Sequence, residues 1–416
     1  MNIDKCRSCQ SVDVTDLLSL GDQYLSDFRE DDQLPPKYPL DLVICQDCML
    51  VQLKETTPSH ELYTDNYGYE SGINESIKAD LNSIVANAIA IYRGKDKDLD
   101  DKVVVDIGAN DGTLLSNYAY FGYHPQKLGI DPVPKFKEKL KRHADYAHTD
   151  FFKHGIFESI FPDRKASIIT SISMFYDLDD PNTFVSDVKD ILADDGIWVV
   201  QQNYLGTMLS QTAYCNICHE HVEYYSLYSF EKLLNKFDLK VFKVGQSNIN
   251  GGSFRAFICH KDTYVEEDSV QEMRDSEISQ GLDRIEVYKE FADRIELRAN
   301  ELHDLIEDLV EQGKTVYVYG ASTRGNTLLQ ASRLNNHLLP FAVERNPGKW
   351  GKKIASLQIP IIKEEEAREH QPDYMLVLPW FFFSEFAQRE ADYLENGGSF
   401  ILPLPEVRIV TKDSID

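Results

Sequence analysis

Short apolar runs and helical stripes alternate along much of this chain. Val103-Val-Val-Asp-Ile107 is a β-branched run; glycines follow it, and Leu114-Leu115-Ser116-Asn117-Tyr118 then opens a helical pattern. Further apolar runs at 128–130, 168–171, 197–201, 239–244 and 253–258 bring the predicted strands to six, with helical segments between the first five of the six, from 103–107 to 239–244. That rhythm predicts an α/β fold around a mostly parallel, doubly wound sheet, whose ligand site lies beyond the carboxyl ends of its strands. Positions 77–91 carry apolar residues at helical spacing and predict a helix leading into the sheet. From about 263 to 311 the chain is charged, with Phe291, Ile295, Leu302, Leu305, Ile306, Leu309 and Val310 at helical steps, which predicts one long amphipathic helix. Runs at 315–319, 341–343, 375–378 and 399–402 then predict a second, Rossmann-like sheet. The expected division is 1–60, 61–262, a linking helix at 263–312, and 313–416.

Composition narrows the classes. With 416 residues and 42% hydrophobic content, the chain can bury two or three cores. It has no apolar run of about eighteen residues and no apolar leader, so a cytoplasmic protein without a membrane partner is expected. Lys and Arg number 43 against 69 Asp and Glu, a formal charge of -26; the summed field repels polyanions and argues against a nucleic-acid partner. Seven cysteines without a secretion signal suggest thiols or metal ligands rather than disulfides.

Two of the cysteine groups are specific. Cys6-Arg-Ser-Cys9 and Cys45-Gln-Asp-Cys48 are short turns that each present two sulfurs, and together they make a tetrahedral thiolate site. Zinc is the first choice and rubredoxin-like iron the second; an all-sulfur shell leaves no open position, so its role is structural.

The turn after 103–107 reads Asp106-Ile-Gly108-Ala-Asn110-Asp111-Gly112. Glycine suits a sharp strand-to-helix turn and a ligand that touches backbone. The dinucleotide fingerprint's third glycine is missing, and an acid inside the loop would repel a pyrophosphate. Asp131 ends the next strand about twenty residues on, where a ribose diol is held. Together these features favour S-adenosylmethionine. Asp150 before Phe151-Phe152, and Ser173 after the strand at 168–171, fall on the same rim. In the stretch 172–181 the acids Asp177 and Asp180 are suited to capping the next helix. After 197–201 come Gln202-Asn203-Tyr204 and then Cys218-His219-Glu220-His221, the densest cluster of titratable and aromatic groups. Two histidines spaced two apart are not a zincin pair, but an imidazole beside a carboxylate can move a substrate proton. Tyr67 and Tyr69 belong to a tyrosine-rich stretch at 62–71 that either seals an interface or faces the cofactor. Asn250-Gly-Gly-Ser-Phe-Arg255 makes a hairpin turn or lets a substrate reach backbone amides. In the last domain, Ser322, Thr323 and Arg324 open a helix after Gly320, with Asn326 inside it and Arg345 after the next strand. Hydroxyls, amides and a guanidinium at a helix start make a phosphate site, although Ser and Thr are also the commonest caps.

With those residues in view, the chain resembles over nearly its full length the three-domain sugar C-methyltransferases of deoxysugar pathways. The motifs that carry the resemblance are the paired Cys-x-x-Cys, Asp106 to Gly112, His219-Glu220-His221, Asn250 to Arg255, and Tyr319-Gly-Ala-Ser-Thr-Arg-Gly-Asn326. The resemblance implies a zinc module, a class I methyltransferase domain and a C-terminal Rossmann-like domain. It also implies methyl transfer from S-adenosylmethionine to C3 or C5 of a nucleotide-linked 4-keto-6-deoxy sugar. The implied general base is His221, with Glu220 beside it and a tyrosine from 67–69 nearby. Asn203, Asn250, Arg255, Ser322, Thr323, Arg324, Asn326 and Arg345 are the candidate substrate residues, in a monomer or weak oligomer. The chain departs from the family pattern at Cys218, where some members have tyrosine; at Asp177, where some have histidine; at Phe381; and at Ala355-Ser356. The competing readings are O- or N-methylation and a non-catalytic cofactor-binding scaffold.

Overall fold

The strand Val103–Ile107 is buried at every position, as a central parallel strand covered on both faces must be. In the computed structural model, which describes residues 3–63, 68–94 and 98–414, this strand is β1 of a seven-stranded sheet. The others are β2 (Gln126–Ile130), β3 (Tyr146–His148), β4 (Ala166–Ile172), β5 (Leu192–Asn203), β6 (Leu239–Ser247) and β7 (Ser253–His260). Their order is β6-β7-β5-β4-β1-β2-β3. The pairs among β1 to β5 are parallel, and β7 runs antiparallel between β5 and β6. Successive connections reverse direction between β1 and β4, the switch point where an open α/β sheet takes its ligand.

This sheet belongs to one compact unit made of residues 1–16, 43–206 and 220–284. On one face, helix Glu75–Arg93 lays Ile77, Leu81, Ile84, Val85, Ala88, Ile89 and Tyr92 against Val104, Ile168, Ile197 and Val199. Asn74 starts that helix by accepting the Ser76 N–H at 2.8 Å. The opposite face packs Val103, Val105, Ile169, Trp198 and Val200 with Phe175, Phe184, Tyr225 and Phe230, and Cys6, Cys45, Cys48 and Leu50 join the same core. The cysteine turns are thus part of the sheet's packing.

The second unit comprises residues 17–42, 207–219 and 285–416. Its eight-stranded sheet runs Arg408–Val410, Ser399–Leu402, Tyr374–Val377, Val316–Tyr319, Ala342–Glu344, Ile359–Lys363, Lys353–Ile354, Phe28–Arg29. The inner pairs are parallel. The antiparallel margins, among them Phe28–Arg29 from between the two cysteine pairs, are additions that the apolar runs did not predict. A four-stranded sheet of order Val14–Tyr24, Lys37–Cys45, Val51–Leu53, Glu223–Tyr224 was likewise not predicted.

One expectation is corrected. The single long helix across 263–311 is two helices, Asp268–Gln280 and Ile285–Glu311. Gly281 adopts φ 75° and ends the first, since a left-handed residue directs the chain out of the helix.

Candidate active site

At the switch point the loops after β1 and β4 meet closely. Gly108 has φ 76°, and a Cβ there would lie 2.9 Å from Met174 Cγ, so both the conformation and the contact require glycine. Its N–H and that of Ala109 donate to Ile130 O at 2.9 and 3.0 Å, tying the turn to the end of β2. Asp131, the next residue, accepts the Asn110 N–H at 2.8 Å on one oxygen and the Val133 N–H at 2.9 Å on the other. A carboxylate has about four acceptor positions, so Asp131 retains capacity for a diol. Asp111 accepts from Thr113 N–H and O–H at 3.1 and 2.7 Å and from Gly72 N–H at 2.8 Å. Asn110 Oδ1 accepts the Ser71 N–H at 3.0 Å. The Asn-Asp pair therefore clamps segment 71–72 over the loop, and Gly112, at φ 85°, leads into helix Thr113–Tyr120.

Asp106 is buried inside β1, where its Oδ1 accepts the Thr170 hydroxyl at 2.6 Å. Burial pushes its carboxyl up to about 7, and the charges of Asp131 and Asp111 add to the shift. Ser173 takes φ 54° and donates its N–H to Gln201 O at 2.7 Å. Asp150 is exposed just past β3 and accepts its neighbour's N–H, that of Phe151, at 2.8 Å. A glycine turn, an acid with open acceptor positions at the end of β2 and a second turn in van der Waals reach fit the nucleoside and amino-acid ends of S-adenosylmethionine.

The histidine stretch divides. His219 is 4% exposed, and its Nε2 lies 3.1 Å from Tyr38 O. A carbonyl only accepts, so Nε2 carries the proton, and burial lowers the ring's tendency to charge. His221 is half-buried with its ring 4.3 Å from that of Tyr176, edge to face. The Val222 N–H donates to Tyr176 O at 2.9 Å, and Glu223 and Tyr224 pair with Gln52 and Val51. Phe175 anchors the partner loop: its ring meets Trp198, Tyr225, Phe230 and Phe184 at 5.3 to 5.7 Å. Beside Tyr176 stands Asp177, whose Oδ2 accepts the Tyr63 hydroxyl at 3.3 Å. Of the two acids named as caps, Asp180 does cap helix Pro181–Ile191, accepting the Thr183 N–H at 3.1 Å, whereas Asp177 faces the histidine stretch. Tyr69 is 40% exposed, and Tyr67 lies outside the described residues.

Other candidates have protein partners. Arg255 is buried and meets Gln201 Oε1 at 2.8 Å and Asp80 Oδ1 at 2.9 Å, which ties β7 to helix Glu75–Arg93. Asn203 is half-buried at the end of β5, and Asn250 sits at φ 57° in the turn before β7. In the second unit Ser322 accepts the Gly325 N–H at 3.0 Å and so caps helix Thr323–Ala331. Arg324 donates to Asn216 and lies 4.6 Å over the Phe381 ring. Thr323 is half-buried and Arg345 exposed. Asn326 is buried, donating to Ser26 Oγ at 3.0 Å and accepting from Ser356. Lys349, which the motifs did not single out, donates to Ala321 O at 2.6 Å in the same turn.

The four cysteines come together. Their sulfurs all lie within 4.8 Å of one another, with Cys6 to Cys48 at 3.6 Å and Cys9 to Cys45 at 3.4 Å. A zinc ion with bonds of about 2.3 Å sets tetrahedral edges of about 3.8 Å, so the donor set fits. A divalent ion lets all four sulfurs ionise. Arg7, inside the first turn, donates to Leu53 O at 2.6 Å, Thr56 Oγ1 at 2.8 Å and Asp179 Oδ1 at 3.1 Å, and Gln52 Nε2 donates to Cys6 Sγ at 3.3 Å.

Comparison with known proteins adds the family. Residues 6–63 match a zinc binding domain, 81–244 a methyltransferase domain, and 248–405 a C-methyltransferase C-terminal domain. The C-methyltransferase NovU of Streptomyces niveus is 31% identical over 418 residues, covering 99% of this chain and 98% of that protein. Solved structures include the plantazolicin methyltransferase BpumL with SAH, at 14% identity and TM-score 0.35, over 44% of this chain and 84% of that one. An S-adenosylmethionine-dependent methyltransferase of Clostridium acetobutylicum gives 11% identity and TM-score 0.34, over 44% and 91%. Likenesses this distant have no bearing on function. The full-length relative and the C-terminal family model both specify carbon as the acceptor, which displaces the O-methylation, N-methylation and scaffold readings. On its cysteine site, its sheet and turn, and its match from end to end, the chain belongs to the family of zinc-containing, S-adenosylmethionine-dependent C-methyltransferases.

Proposed function

We propose that this enzyme methylates a ring carbon of a nucleotide-linked 4-keto-6-deoxy sugar through an enolate, with His221 as the base. The observation that carries the assignment is the contrast between the two imidazoles. His219 is buried and committed to the Tyr38 carbonyl, whereas His221 is half-buried beside an aromatic ring and follows Glu220 directly in the chain. A hydrogen α to a ketone is too weakly acidic to leave unaided, and an imidazole near neutral pKa suits its removal. Glu220 then offsets the charge gained by the ring. S-adenosylmethionine, when bound, supplies the electrophilic methyl. Asp131 holds the ribose, and the Gly108 turn lets the ligand approach backbone. Within the second unit, Ser322, Thr323 and Arg324 make a candidate anion site of their own, where a helix start and a guanidinium offset the charge of a strongly acidic protein. The methylated carbon, C3 or C5, is that of the family.

The test uses a thymidine diphosphate 4-keto-6-deoxyhexose in deuterated water without methyl donor. Wild-type protein is expected to exchange the α-hydrogen. His221→Asn is expected to bind S-adenosylmethionine within about twofold of wild type while turnover falls by 100-fold or more, the order of a lost general base. Turnover at the wild-type rate in that variant refutes the base, and absence of exchange in the wild type refutes the enolate.

A further inference from the structure

The loop after β4 carries a side chain that the scheme above leaves unused. Asp177 Oδ2 accepts the Tyr63 hydroxyl, and Oδ1 is shielded from solvent with no hydrogen-bond partner among the described residues. A buried carboxyl oxygen without a partner is costly when ionised. The neighbouring residue joins this loop to the histidine stretch twice, through Tyr176 O to Val222 N–H and through its ring to His221. The groups facing Asp177 from the packed segments are Tyr63, Glu220 and Glu223, and the nearby cation Arg7 is engaged by Asp179.

We propose that Asp177 is a further catalytic residue, a neutral acid whose Oδ1–H donates to the substrate oxygen that gathers charge when His221 removes the proton. The hydroxyl of Tyr63 marks Oδ2 as the acceptor, which leaves Oδ1 to hold the hydrogen. Burial, followed by the negative charges of Glu220 and Glu223, raises the carboxyl well above its ordinary range, so it stays protonated where a surface aspartate ionises. The donated hydrogen bond strengthens as the ketone becomes an enolate. The O–H bond of Asp177 persists throughout; the proton lost from carbon leaves on His221, and the carbonyl reforms as the new carbon–carbon bond closes.

This inference rests on the enolate reading, and the experiment separates the two. Exchange of the α-hydrogen from thymidine diphosphate 4-keto-6-deoxyglucose is followed against pH for wild type, Asp177→Asn and Asp177→Ala. S-adenosylmethionine affinity and Tm serve as folding controls. Wild-type exchange is expected to fall on the alkaline side as the acid ionises. Asp177→Asn keeps an N–H donor that does not titrate, so it is expected to lose no more than about tenfold and to lose the alkaline limb. Asp177→Ala is expected to lose on the order of 100-fold, the magnitude of one missing oxyanion donor. Should Asp177→Ala fail to fold, the shape of the Asn profile alone decides. A wild-type profile in Asp177→Asn, or exchange within twofold of wild type in Asp177→Ala, overturns the role of Asp177 and leaves the enolate reading standing. A wild-type enzyme that exchanges nothing overturns both.

Discussion

Asp106 shows how one side chain couples the strand before the glycine turn to pH. Its carboxyl sits inside a fully buried strand, and its folded-state pKa is raised to about 7 from an unfolded value of about 3.9. The folded state therefore holds a proton that the unfolded chain has released. Stability is fully present below the unfolded value and is lost as pH rises through about 7. Asp106→Asn keeps an acceptor for the Thr170 hydroxyl and cannot ionise. Its Tm, measured from pH 5 to pH 9, is expected to decline less steeply than that of the wild type, and parallel curves would locate the alkaline loss elsewhere. Asp177 shifts in the same direction, so the two substitutions are expected to flatten the curve independently.

Among elements, the cysteine turns and the strand Glu223–Tyr224 are mechanically joined. Gln52 pairs with Glu223 in register and donates to Cys6 Sγ, and Arg7 spans from the first turn to Leu53 O and the loop at Asp179. Arg7→Ala leaves the four thiolates intact but frees the Leu53 carbonyl and Asp179. A stability loss of about 2 kcal/mol, full metal content and a lowered kcat are expected, read by denaturant melts, metal analysis and steady-state assay. A wild-type kcat would confine Arg7 to folding. Cys6→Ser removes one of the four metal ligands, so metal content and Tm are expected to fall together. Full stability without metal would refute the structural role.

For the whole molecule, legibility followed locality. Val103 to Gly112 was readable because strand, left-handed glycine and helix start are consecutive, and the cysteines because spacing alone defines their geometry. Val14–Tyr24 was not, since it is mostly exposed or half-buried and lacks the clean two-residue alternation that marks a strand with one buried face. Phe28–Arg29 is two residues long and finds its partner at Lys353–Ile354, a pairing no local pattern encodes. At the site the same division holds. The His-Glu-His run advertised itself, but its two rings sit in different surroundings because Tyr38 claims one of them, and Arg255 is claimed by Asp80 on a distant helix. The chain enters and leaves each compact unit more than once, changing over at residues 17, 43, 207, 220 and 285. Neither half can be excised as one uninterrupted stretch of gene. A recombination event that traded the last third of the chain for a foreign one would strip residues 17–42 and 207–219 of their native neighbours, so this family is expected to diversify by substitution within an inherited whole, with little exchange of parts.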